Sequence, residues 1–136
     1  MIFVDASALT AVIGAEPLAD RVLDCLERDA VFFTSPVAVY ETALAVARIA
    51  NYSVDEALLE VRELVTRAGI SVASIEEVHT EAALAAFARF GKGRHPAALN
   101  MGDCFAYACA KIRDAAILFV GNDFSRTDLR DALANP

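Results

Sequence analysis

A chain of 136 residues has the size of one ordinary domain and can bury a single core of two or three layers. Its formal net charge of −7 excludes a broad basic face that grips nucleic acid, but not an acidic pocket that collects cations and turns them toward phosphate. Hydrophobic residues make up 57% of the chain, yet charges break every apolar stretch well short of the ~20 residues of a membrane span.

Ile2, Phe3 and Val4 form a short apolar strand that runs straight into Asp5. Over residues 17–28, Leu18, Val22, Cys25 and Leu26 keep helical spacing, and Pro17 suits a first turn. Residues 31–34 read as a second strand. Residues 37–50 are apolar almost all round, the pattern of a buried helix. From Val54, a stripe of Val54, Ala57, Leu58, Val61, Leu64 and Val65 opposes Asp55, Glu56, Glu60, Arg62 and Glu63, and Ser53 can cap that helix. Residues 71–73 give a third strand. Ser74 and Glu77 have capping-box spacing for a helix ending near Phe90, where Gly91 suits a left-handed stop. An apolar helix over residues 101–113 and a strand over 117–120 complete the series.

Strands alternating with helices, with no linker, repeat or low-complexity tract, predict one α/β domain over residues 1–136. Its sheet is expected to be mainly parallel, with right-handed crossovers. Ligands in such sheets gather at the carboxyl ends of the strands. Asp5 follows the first strand directly, and Asp123 follows the last after Gly121 and Asn122. Cys25, Cys104 and Cys109 are odd in number, lack zinc-ligand spacing and sit among apolar neighbours, so they read as small core residues.

Four acids carry the chemical signal, each beside a plainer reading. Glu41 lies in "VAVYETALAV", where positions i+3 and i+4 hold Leu44 and Ala45 and no base. Burying that carboxylate is costly unless a cation or several donors meet it; the alternative is a solvated edge. Asp103 can serve chemistry or sit at the third position of a helix capped by Asn100, and one residue can do both. Asp5 can cap the turn that follows, as can Ser7, and Asp123 can be a turn residue. Four carboxylates from two strand ends and two helices repel one another unless they share protons or a cation. An all-oxygen set favours Mg²⁺ or Mn²⁺ over zinc.

In "FVDASAL", "SPVAVYETALAV", "LNMGDCFAYACAK" and "LFVGNDFSRTDL", in this order and over essentially the whole length, the chain resembles a PIN-domain ribonuclease, specifically a VapC-type toxin of a toxin–antitoxin pair. The resemblance implies a three-layer α/β/α PIN-like domain with a short, mainly parallel sheet. It carries the acidic quartet onto Asp5, Glu41, Asp103 and Asp123, with Asp5 and Asp103 as metal ligands and Glu41 and Asp123 bound directly or through water. Ser7 resembles the family's supporting hydroxyl residue. Asn122 stands where some relatives have another acid, and Asp128 is either an outer supporting residue or a helix start. The implied activity is Mg²⁺-dependent endonucleolytic hydrolysis of RNA, with Mn²⁺ as a substitute, by a type II toxin that a cognate antitoxin silences.

Lys92 and Arg94, in the loop "GKGRHPAALN" before Asp103, are candidate RNA contacts or simply a solvated helix end. His95 reads as a loop residue and His79 as a surface one. The apolar excess fits a homodimer and a hetero-oligomer equally; the resemblance implies a toxin–antitoxin complex, with the helix pair over residues 37–65 as the docking surface or as ordinary core. With no basic leader or cleavage site, the expected location is the cytoplasm, with no membrane partner. Competing readings are an aspartate-nucleophile phosphatase, which wants a second Asp where Ser7 stands, and a receiver domain, which wants an early acidic pair and a late lysine. A catalytically inactive PIN-like binding scaffold is the non-enzyme alternative.

Overall fold

Four very short strands in one parallel sheet organise residues 1–134, which are those that this computed structural model describes. In chain order the elements are β1 (Ile2–Val4), α1 (Ala6–Ile13), α2 (Ala19–Leu26), β2 (Phe32–Thr34), α3 (Pro36–Ala50), α4 (Val54–Arg67), β3 (Ser71–Val72), α5 (Glu77–Phe90), α6 (Met101–Ile112) and β4 (Ala116–Leu118). The strand order is β3-β2-β1-β4. β1 pairs with β2 through Ile2–Phe32 and Phe3–Phe33, and with β4 through Ile2–Ala116, Phe3–Ile117 and Val4–Leu118.

β1 is buried on both faces because helices cover both, so it is uniformly apolar rather than alternating. Its side chains still alternate in direction. Phe3, Phe33 and Ile117 join a core with residues of α5 and α6, whereas Ile2, Val4, Phe32 and Leu118 join a second core with α1, α2, α3 and α4. These are the three layers α/β/α. Phe3 and Phe33 meet edge to face, with ring centroids 5.4 Å apart, an arrangement that aromatic quadrupoles favour. Beyond β4 the chain returns alongside it: Ile117 N–H donates to the Arg130 carbonyl and Ala132 N–H to that of Ile117. No described helix is long and apolar enough to cross a membrane.

The four strands and the later helices fall close to where sequence patterning puts them. The box capping α4 is made by Ser53 and Glu56. Several local expectations need correction. α1 is missing from the sequence reading because "ASALTAVI" is almost uniformly apolar and shows no stripe. α3 is not buried all round: Ala38, Thr42, Ala43 and Val46 face the core, whereas Tyr40, Leu44 and Ile49 are 64%, 44% and 56% exposed.

The box that starts α5 pairs Glu76 with His79, not Ser74 with Glu77, and His79 Nδ1 accepts from Glu76 N–H at 2.9 Å. His79 is accordingly buried, not a surface residue. Gly91 has extended backbone (φ −67°, ψ 157°) rather than a left-handed stop. Glycine is needed there because its Cα lies against Phe87, where a Cβ would meet the ring and carbonyl.

Phe3 is fully buried at the centre of the sheet. Phe3→Ala should lower unfolding free energy by about 3–5 kcal/mol, read as a shift of the urea midpoint at unchanged slope.

Candidate active site

The carboxyl ends of β1 and β4, with the N-terminal turns of α3 and α6, form one acidic edge. Asp5 follows β1 in extended backbone and caps α1. Its Oδ2 accepts from the Ser7 N–H at 3.1 Å and from the Ser7 hydroxyl at 2.6 Å. The same hydroxyl oxygen accepts from Val120 N–H at 3.1 Å, and Asp5 N–H donates to the Leu118 carbonyl at 3.0 Å. Ser7 therefore clamps the ends of β1 and β4 together and fixes one oxygen of Asp5. Thr34 ties β2 into the same edge by donating to the Val4 carbonyl at 2.7 Å.

Burial pushes the Asp5 carboxyl upward, the hydrogen bonds of Ser7 and the Ala6 backbone pull it back, and the charge of Asp123 raises it again.

Glu41 projects from the second turn of α3, whose start Ser35 caps through Ala38 N–H. It is part-buried and lies against Gly102 at the start of α6. Burial, then the charges of Asp5 and Asp103, push it up to about 7.

Asp103 is the third residue of α6. Its Oδ2 accepts from Asn100 N–H at 3.1 Å while Asn100 Oδ1 accepts from Asp103 N–H at 2.9 Å. One carboxylate oxygen serves the cap and the other remains available, so capping and chemistry coexist. Burial is the main force raising Asp103 to about 6; the Asn100 backbone opposes it, and Asp123 and Asp5 add to it. Asp123 stands exposed in the turn after β4, near enough for its charge to act on both Asp5 and Asp103.

Four acids from distant parts of the chain thus share one electrostatic field. Among the described residues, none of the four has a basic partner; the ion pairs join Glu63 to Arg67, Asp114 to Arg130, and Asp128 to Arg89 and Lys111. Hard oxygen donors, three of them raised by burial and by neighbouring negative charge, suit a hard divalent cation. Among the described residues no three His, Cys, Asp or Glu side chains close into a direct ligand cluster. By donor chemistry alone, carboxylate oxygens are the ligands that Mg²⁺ takes alongside the waters it keeps.

Other sequence candidates fall around this edge. Asn122 is exposed, and its carbonyl accepts from the Ser125 hydroxyl. Asp128 does not start a helix. It accepts from the Tyr107 hydroxyl at 2.6 Å and pairs with Lys111 at 2.8 Å, bracing the last segment onto α6. Partial burial alone would raise Asp128, but the hydrogen bonds of Lys111 and Tyr107 prevail and hold it at about 2.

Lys92 and Arg94 are exposed on the loop before α6, with Arg94 over the Phe87 ring at 5.3 Å. His95 turns inward: its Nδ1 accepts from Ala97 N–H and its ring stands edge-on to Phe90. All three cysteines are free and buried. Two supporting roles are not evident from the sequence: the bond from Tyr107 to Asp128 and the contact of Gly102 with Glu41. Tyr107 carries no periodicity signal, being one apolar-face residue among many. Gly102 does carry one, because glycine is a poor choice inside a first helical turn.

A family model described as PIN domain matches residues 2–129. Ribonuclease VapC30 of Mycobacterium tuberculosis is 39% identical over 127 residues, covering 93% of this chain and 94% of its own. VapC ribonuclease R02377 of Rhizobium meliloti is 40% identical over 145 residues, covering 95% and 99%. Among solved structures, VapC20 of Mycobacterium tuberculosis, described as a Sarcin-Ricin loop cleaving toxin, matches with a TM-score of 0.77 at 18% identity. It covers 95% of this chain and 96% of its own, a likeness of fold.

The unfolded chain releases the protons of Glu41 and Asp103 near 4.5 and 3.8, whereas the folded chain holds them to about 7 and about 6. The folded state thus binds more protons across that window, and without divalent cation its stability falls as pH rises from about 4 to about 7. Glu41→Gln should flatten this fall and stabilise the protein at pH 8 by on the order of 1 kcal/mol, a value reduced for partial solvent access. Urea unfolding across pH checks it; a midpoint that rises through the window in both proteins contradicts it.

Proposed function

Because the chain belongs to the PIN-domain family, and within it to the VapC ribonucleases, we propose that it is a metal-dependent endoribonuclease and the toxin of a type II toxin–antitoxin pair. The observation that carries the mechanism is the shared field of Asp5, Glu41, Asp103 and Asp123 at one sheet edge without a basic partner among the described residues.

Asp5 and Asp103, each with one oxygen already fixed by a cap, would hold Mg²⁺ (or Mn²⁺), with Glu41 and Asp123 direct or through water. When bound, the ion supplies charge neutralisation at the phosphate and acidifies the attacking water. Glu41, raised to about 7, would be the carboxylate best suited to accept a proton from water near neutral pH. Ser7 holds Asp5 in one rotamer and joins the two strand ends, so the acids keep their spacing while substrate exchanges. Lys92 and Arg94 lie on the loop leading into α6 and would meet the RNA backbone, offsetting part of the chain's negative charge.

A serine at position 7 also weighs against the phosphatase alternative, since its hydroxyl is committed to Asp5 and offers no second carboxylate. The antitoxin would settle in the apolar groove of about 820 Å³ between α3 and α4, lined by Val39, Tyr40, Leu44, Leu58 and Val65. The exposed apolar side of α3 then has a partner to cover it.

Asp5→Asn and Asp103→Asn should each lower Mg²⁺-dependent RNA cleavage by roughly 100-fold or more, with folding intact by circular dichroism. Cleavage by wild type that survives chelation, or that survives both substitutions, would remove the metal mechanism. Lys92→Ala with Arg94→Ala should weaken RNA binding and flatten its dependence on log salt by about one unit for each phosphate that the missing cation had neutralised. Binding and salt slope equal to wild type would place the RNA elsewhere.

A further inference from the structure

Gly102 is the second residue of α6 and is buried. Its φ lies outside the positive-φ region that glycine is commonly used to reach. Glycine is the poorest helix former after proline, so neither backbone conformation nor helix propensity explains it. Space does. A Cβ built on Gly102 would lie 2.6 Å from Cδ and 2.7 Å from Oε1 of Glu41, and closer still to Oε2. Contacts that short do not occur, so something has to give.

The start of α6 is held firmly. Asp103 N–H donates to Asn100 Oδ1, Asn100 N–H to Asp103 Oδ2, and Cys104 N–H to the Asn100 carbonyl at 3.0 Å. Glu41, by contrast, reaches Gly102 with the far end of a flexible side chain. With a larger residue at position 102, the carboxylate moves and the helix stays.

We propose that Gly102 is a positioning residue: its missing side chain leaves the niche on α6 in which the Glu41 carboxylate rests, beside Asp103, so that α3 and α6 present acids to the same cation. This proposal rests on the metal-nuclease reading for its consequence, but not for its geometry. The niche fits a carboxylate on a two-methylene stem; a bulkier floor would fit the shorter stem of aspartate.

The test compares wild type, Gly102→Ala, Glu41→Asp and the double variant in the full chain. Mn²⁺ binding is followed by calorimetry, RNA cleavage as kcat and KM, and the Glu41 side-chain carboxyl carbon by NMR. Gly102→Ala should fold, move the Glu41 resonance, weaken Mn²⁺ binding about 10-fold and lower kcat with little change in KM. Adding Glu41→Asp to Gly102→Ala should recover part of the Mn²⁺ affinity, although Glu41→Asp alone weakens it. Unchanged Mn²⁺ binding in Gly102→Ala, or strictly additive losses in the double variant, overturns the proposal.

If wild type neither binds Mn²⁺ nor cleaves RNA, the nuclease reading fails. The Glu41 resonance then decides the positioning role by itself: moved by Gly102→Ala it stands, unmoved it falls. If Gly102→Ala does not fold, Gly102→Ala with Glu41→Ala should fold, because the colliding carboxylate is gone; failure of both overturns the proposal.

Discussion

Like charges gathered with no counter-charge paired to them among the described residues are the constraint around which this molecule is arranged. Asp5, Glu41 and Asp103 are each lifted above the ordinary carboxylate range, first by burial and then by one another or by Asp123. A protein selected for stability alone would place a base among them or spread them apart. Here the basic residues in ion pairs serve other acids, at Asp128, Asp114 and Glu63. The cost of this edge is borne by the two cores on either side of the sheet, in which Phe3, Phe33, Leu9 and Leu118 are almost wholly shielded from water.

Holding repelling groups at fixed spacing takes hydrogen bonds that are themselves anchored. Three small polar residues do this. Ser7 bridges Asp5 and the backbone of Val120, Asn100 locks the start of α6 and one oxygen of Asp103, and Thr34 ties β2 to β1. The brace of Tyr107, Asp128 and Lys111 secures the segment that returns from Asp123. With strands of two or three residues, the sheet has few ladder bonds of its own, and these side-chain bonds supply what longer strands would provide.

Sequence patterning located the strands well and the local stops less well. Apolar runs bounded by polar residues marked β1, β2, β3 and β4, and the stripe from Val54 to Val65 marked α4. α1 escaped because uniform apolarity has no period. α3 is not wholly buried, and the sequence hides this for a related reason: an all-round apolar pattern cannot reveal which side of a helix the molecule leaves exposed. His79 showed that a cap can be built from an imidazole accepting a backbone N–H, which no Ser/Glu spacing rule anticipates. The quartet was legible because each acid interrupts an apolar context at a strand end or inside a packed helix. The supporting roles were less so. Asp128 sat close in sequence to Asp123, yet its partners are on α5 and α6. Gly102 is an unusual choice for a helical position, yet its reason is the side chain of Glu41, 61 positions earlier. Contacts between distant segments leave no periodicity to read.

Proton release on Mg²⁺ binding tests the central claim most directly. Calorimetric titration at pH 6.5, in buffers of different ionisation enthalpy, measures how many protons leave when the ion enters. Carboxylates held partly protonated by burial and mutual repulsion predict a substantial fraction of a proton released per ion, falling toward zero by about pH 9. Mg²⁺ binding with no proton release at pH 6.5, or no binding at millimolar Mg²⁺, would contradict it.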